Sequence, residues 1–123
     1  MTKPRALGLA LLAASLLLLA ACGHTSVVGS DRTVRVELTE YSLHPQTIRA
    51  SAGLLTIVVH NRGVLDHDLV VSRNGQTIDS TEPMRPGQTV DLGLNLAPGT
   101  YSIASSLQSD QTLGEYGTLR VTS

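Results

Sequence analysis

The sequence predicts an all-β domain, a sandwich of short strands running from Arg32 to the C-terminus. Two observations carry this. Apolar and polar residues alternate at period two through most segments, and no window of useful length shows a helical period. Turn residues also interrupt the alternation about every 8–12 residues, the spacing of a sandwich or barrel.

The elements follow in order. Val34, Val36 and Leu38 alternate with Arg35 and Glu37. Leu54 to Val59 is a short apolar run, closed by a turn at Asn61-Arg62-Gly63, where turn chemistry suffices to explain Asn61 and Gly63. A further strand covers Leu69 to Val71, and Asn74-Gly75 is a hairpin signal. Asp79 to Gly87, with Pro83 and Pro86, is expected to be a loop. Val90, Leu92, Leu94 and Leu96 alternate with Asp91, Gly93 and Asn95, and Tyr101 and Ile103 with Ser102 and Ala104. Leu119 and Val121 close the chain. Seven to eight strands are expected, with no internal repeat. Three Tyr are the only Phe, Tyr or Trp residues, so the core must be aliphatic and there are no stacking platforms for bases or sugars.

The first residues have a different character. Lys3 and Arg5 precede an unbroken run of small and apolar residues from Ala6 to Ala21. Sixteen residues are too few for a permanent span, which needs about 20. A basic start, a short apolar run and small residues at its end describe an export signal. The run ends Leu19-Ala20-Ala21-Cys22, which resembles a bacterial lipobox. That resemblance implies cleavage before Cys22 and a thioether-linked diacylglycerol on its sulfur. Two acyl chains suffice for stable anchoring where one does not. The expected organisation is a signal at 1–21, a lipidated flexible tether at 22–31, rich in Gly, Ser and Thr, and the domain at 32–123. The expected location is the extracytoplasmic face of a membrane.

The segment after Ala21 carries seven Arg, no Lys and ten acidic residues, a net charge of −3 with His neutral. A basic nucleic-acid binder is thereby excluded. Cys22 is the only cysteine. Once it is lipidated there can be no disulfide, no catalytic thiol and no thiolate metal ligand.

Several local patterns fall in a fixed order: Glu40-Tyr41-Ser42-Leu43-His44-Pro45, Ser51-Ala52-Gly53, Val58 to Gly63, and His67. Pro86-Gly87-Gln88-Thr89, Leu96 to Tyr101 and Gly114 to Val121 complete the set. Together they resemble the cupredoxins, and the resemblance covers nearly all of residues 32–123. It implies a Greek-key β-sandwich of cupredoxin type. Tyr101 after a Pro-Gly turn suits a tyrosine corner. In that family copper is held by a His after the Asn-x-Gly turn, then by Cys, His and usually Met from the last loop. Here the first His falls on His67, the Cys position on Ser105, the second His on Asp110 and the Met on Glu115. One ligand of the set is kept. A blue site depends on a copper thiolate, and a serine hydroxyl is not ionised near neutral pH, so blue-copper electron transfer is not expected.

Two readings of these residues stay open. In the first, the chain is a non-enzymatic binding or accessory module of the envelope with no cofactor, contacting an unidentified protein partner through the loops around His67 and Asp110. In the second, His67, Asp110 and Glu115 hold a divalent ion, since one imidazole and two carboxylates suit Cu(II), Zn(II) or Fe(II). Ser105 shares parity with Tyr101 and Ile103 and should point inward, bonding backbone or Asp110. No Gly-x-Ser-x-Gly elbow surrounds it, so hydrolase chemistry has no motif. His24 is expected to be solvated in the tether, His44 to sit in a loop before Pro45 and His60 to face water. No two His have helical or hairpin metal spacing. Met84 stands alone in its loop, whereas a Cu(I) carrier would need several Met or His.

Overall fold

Alternation in sequence becomes sidedness in space. In a computed structural model, which describes residues 24–107 and 116–123, the strands are β1 (Thr25–Val27), β2 (Thr33–Leu38), β3 (Leu43–His44), β4 (Thr47–Ser51) and β5 (Gly53–Asn61). They continue as β6 (Val70–Arg73), β7 (Gln76–Ser80), β8 (Thr89–Leu96), β9 (Gly99–Ala104) and β10 (Tyr116–Thr122). No helix occurs among the described residues. The expected all-β sandwich is present.

One sheet has the order β1-β4-β10-β9-β6-β7 and the other β3-β2-β5-β8. Three pairings are parallel, β1 with β4, β4 with β10 and β2 with β5. The others are antiparallel. The order comes from strands that are not neighbours in the chain, as a Greek key requires.

The core lies between the sheets. Val34, Val36, Leu38, Leu55, Ile57, Val59, Leu92, Leu94 and Leu96 face it from the smaller sheet, and Ile48, Ala50, Val71, Tyr101, Ile103, Leu119 and Val121 from the larger. Each set follows the period-two pattern read from the sequence. Tyr101 is the one aromatic in this core, and its hydroxyl donates to the Ala97 carbonyl at 2.7 Å, the corner expected after Pro98-Gly99. Asn74 and Gly75, at φ 52° and 75°, make the predicted tight turn between β6 and β7. Both turn positions are left-handed, which matches the twist of the flanking strands.

Some boundaries differ from expectation. Thr25–Val27, placed in the flexible tether, is a strand, because Thr25, Ser26 and Val27 pair with Thr47, Ile48 and Arg49 of β4. The loop expected from Asp79 begins after Ser80, since β7 extends to that residue against β6. His44 lies in β3 and pairs with Glu37. Met84 is fully buried in the core, and the reciprocal bonds of its backbone with His67 fix the loop on which it rides. Cys22, Asp110 and Glu115 lie outside the described residues.

Leu54 and Leu55 test the sidedness directly, because they are adjacent on β5 yet 71% and 2% exposed. Leu55→Ala is expected to lower unfolding free energy by about 2–5 kcal/mol. Leu54→Ala should stay within about 0.5 kcal/mol of the parent. Chemical denaturation of the two variants checks this, and similar values for both would contradict the register.

Candidate functional site

The ends of β2 and β5 lie side by side because the two strands run parallel, with Leu38 opposite Asn61. The Arg62 amide donates to the Leu38 carbonyl at 2.8 Å and prolongs the ladder by one step. The β2–β3 turn, with Glu40, therefore stands over the segment from Arg62 to His67.

Asn61 is fully buried and is the hub of this end. Its Nδ2 donates to the carbonyls of Leu65 and Met84, each at 2.9 Å, and its Oδ1 accepts from the Gly63 amide at 2.8 Å. The side chain thus does more than shape a turn: it ties the 61–68 loop to the Met84 loop. His67, also fully buried, exchanges backbone bonds with Met84, donating at 3.1 Å and accepting at 2.7 Å.

Glu40 closes the group. Its Oε1 accepts from the Val64 amide at 2.6 Å and the Leu65 amide at 2.9 Å, and lies 3.2 Å from His67 Nε2. These donors hold the carboxyl down, from an ordinary value of 4.5 to about 2. The Leu65 amide contributes most, followed by Glu40's own amide, His67 and Val64, while desolvation acts the other way. Facing this carboxylate, Nε2 is placed to donate its hydrogen to Glu40 Oε1. Gly63 explains the closeness of the approach: a Cβ there would collide with the Glu40 carboxylate and lie 2.8 Å from His67 Nε2.

A second group adjoins the first. Ser105 is buried, as its parity predicted. Its hydroxyl donates to Asp68 Oδ1 at 3.1 Å, a partner not expected from sequence; an expected backbone contact is also present, and Asp110 lies outside the described residues. Asp68 also accepts from the Ser106 amide at 2.6 Å and from the Ser106 hydroxyl. The Asp68 amide in turn reaches Ser105 Oγ at 3.4 Å. This bonding joins the residue after His67 to the end of β9.

Neither Glu40 nor Asp68 was singled out from sequence. Glu40 was legible only as a member of the Glu40–Pro45 pattern, and Asp68 only as a neighbour of His67. Of the expected site residues, His67 and Ser105 both border this end, while Asp110 and Glu115 are outside the described residues. His24, His44 and His60 stand apart from it. His60 Nδ1 is 2.7 Å from Thr89 Oγ1, and the rings of His24 and His44 are in contact.

The chain belongs to the cupredoxin-like domain family, whose model matches residues 9–116. Solved structures show the same fold. Reduced auracyanin from the photosynthetic bacterium Roseiflexus castenholzii is 16% identical with a TM-score of 0.69, over 77% of this chain and 100% of that one. Rusticyanin from Thiobacillus ferrooxidans is 12% identical with a TM-score of 0.65, over 80% and 82%. A Cu-containing nitrite reductase from Thermus scotoductus is 20% identical with a TM-score of 0.62, over 81% of this chain and 28% of that one. No curated protein matches the chain.

The family implies copper, and the donors present do not fit a blue site. The position to which the sequence resemblance assigns the thiolate is Ser105, whose hydroxyl donates to Asp68. The chain's single cysteine is Cys22, far away in sequence. Among the described residues no three His, Cys, Asp or Glu side chains converge closely enough to hold an ion.

Glu40 should make stability acid-sensitive with a definite sign. Its folded value lies below its unfolded one, so its contribution is fully present above about pH 4.5 and is lost as pH falls toward 2. Glu40→Gln is expected to be less stable than the parent at neutral pH and to converge on it in acid. Denaturant midpoints measured from pH 7 to 2 check this, and parallel curves would show that the carboxylate is not held as described.

Proposed function

We propose that this chain is a lipid-anchored cupredoxin-like module of the bacterial envelope that has exchanged copper chemistry for binding. In this reading Cys22 carries the lipid, the domain stands on the extracytoplasmic side, and its partner is a protein. The observation that carries the reading is the Ser105 hydroxyl donating to Asp68 at the family's thiolate position. Where an electron-transfer site needs an anion that bonds to metal, this chain has a neutral donor consumed by a structural bond.

The chemistry around it supports a recognition end. Asn61, Glu40 and Asp68 spend their polar atoms on bracing the loops. The braced 61–68 loop and the β2–β3 turn present Tyr41 and Val64 at 72% and 81% exposure, with Leu65 beside them. Rigid loops carrying exposed aromatic and aliphatic side chains are a usual means of holding a protein partner. The module is proposed as non-catalytic, in keeping with the lack of a Gly-x-Ser-x-Gly elbow around Ser105.

A second reading keeps a metal at the same end, with His67, Asp110 and Glu115 as ligands for a divalent ion and no thiolate. One observation favours it: a carboxylate, Glu40, already lies within hydrogen-bond reach of the His67 ring. Oxygen and imidazole donors suit borderline ions.

The two readings separate in one titration. The full chain in detergent is titrated with Cu(II), Zn(II) and Fe(II), by calorimetry and absorption, beside His67→Ala and Asp110→Ala. The binding-module reading predicts no intense thiolate-to-copper absorption and no metal binding that either substitution removes. Saturable one-to-one binding lost in both variants would overturn it in favour of the second reading. A companion variant, Cys22→Ser, is expected to leave the membrane fraction.

A further inference from the structure

Two histidines outside the Glu40–His67 group are brought together by a pairing that is not local in the sequence. β1 runs parallel to β4, and the Thr47 amide donates to the His24 carbonyl at 3.3 Å, which fixes His24 at the edge of the larger sheet. His44 sits on β3 in the smaller sheet, three residues ahead of β4. The chain between them turns at Pro45 from one sheet into the other. The two imidazoles therefore meet at the seam between the sheets, with ring centroids 4.7 Å apart and planes at 66°.

We propose that His24 and His44 form a metal site at this seam, taking a divalent ion such as Cu(II) or Zn(II) through both imidazoles, with water completing the coordination. The first argument is distance. Metal–nitrogen bonds of about 2.0–2.1 Å place the centroids of two imidazoles on one ion roughly 4.5 Å apart at a right angle and roughly 5.2 Å apart at the tetrahedral angle. The observed 4.7 Å lies between these values. Binding needs the two rings to turn about their side-chain bonds, without movement of either strand.

The second argument is access. Both histidines line an open groove of about 440 Å³, together with Thr25, Ser26, Arg35 and Glu37. Room for water ligands is therefore present, and both side chains are exposed. Glu37 is the direct cross-strand partner of His44. Its Oε2 is 2.9 Å from Arg62, which orients it, and with Arg35 also lining the groove the carboxylate is a charge-balanced neighbour of the site rather than a ligand. Imidazole donors favour Cu(II) over the other first-row divalent ions by the usual affinity order.

An ion held here would join the N-terminal strand to the smaller sheet. Because it would bind the folded pairing and not the unfolded chain, it would raise thermal stability as the logarithm of the free-ion concentration once that exceeds the dissociation constant.

The test uses the full chain in detergent, with Cu(II) and Zn(II) as the probes. Electron paramagnetic resonance should show one Cu(II) per chain coupled to two imidazole nitrogens. His24→Ala and His44→Ala should each weaken binding by at least about tenfold, beyond the lower range seen for indirect supports of a site. Zn(II) should raise the melting temperature of the parent and not that of either variant. His67→Ala should leave all of this unchanged, which separates the seam site from a metal at the other group. In the unsubstituted chain, substoichiometric Cu(II) should broaden the ring signals of His24 and His44 before those of His60 and His67. Unaltered affinity in either variant, loss of binding in His67→Ala alone, or first broadening at His60 or His67 would overturn the proposal.

Discussion

The parallel pairing of β2 with β5 is the constraint on which the Glu40–His67 end depends. Parallel strands finish at the same end of a sheet, so whatever follows each strand is delivered to one place. Here β2 delivers Glu40 and β5 delivers Asn61, Gly63 and His67. The sequence separation of 27 between Glu40 and His67 then matters little, because the sheet has already fixed their separation in space. Glu40 accepts amide hydrogens from a loop that would otherwise leave them to solvent, and Gly63 gives it the room to do so. The same logic works at the seam, where β1 beside β4 carries His24 to His44.

This explains what the sequence made legible and what it hid. Alternation reports sidedness, and the residues picked out by it, from Val34 to Val121, fill the core. Asn74-Gly75 reports local backbone geometry, and its left-handed turn is where it was expected. Parity placed Ser105 inside. Each of these signals lies within a few residues of the feature it predicts. Glu40, Asp68 and the His24–His44 contact have no such signal. Their meaning comes from strand partners tens of residues away, and spacing along the chain does not encode a parallel pairing. The tether boundary was misplaced for a related reason. Thr25-Ser26-Val27 is too short and too polar to announce a strand, and it becomes one because β4 offers an open edge.

Burial of polar groups at the His67 end is consistent with bracing. Asn61, His67, Asp68 and Ser105 are all buried, and unsatisfied polar atoms in such a place would each cost about 1–3 kcal/mol. Asn61 satisfies both its amide and its carbonyl on the backbone, and Asp68 takes two hydroxyls and an amide. The bonds leave the loops with one arrangement rather than several. Preorganised loops lower the ordering cost of binding a partner. In the proposed binding role, exposed side chains on them, Tyr41 and Val64 among them, would serve as fixed anchors.

The serine at position 105, where the resemblance expects a cysteine, matters beyond one side chain. A thiolate carries charge and accepts hydrogen bonds; a serine hydroxyl is neutral and has a hydrogen to donate. Asp68 is suited to the second and opposed to the first. Its Oδ1 takes the Ser105 hydrogen at 3.1 Å, and a thiolate in the same place would set two anions against each other. Like charges at that distance disfavour ionisation, so a cysteine at 105 would be pushed toward its protonated, non-ligating form. The serine and the aspartate therefore make one consistent unit. A cysteine introduced at 105 would set any thiolate against the Asp68 carboxylate, a repulsion that a bound ion's own charge would have to offset.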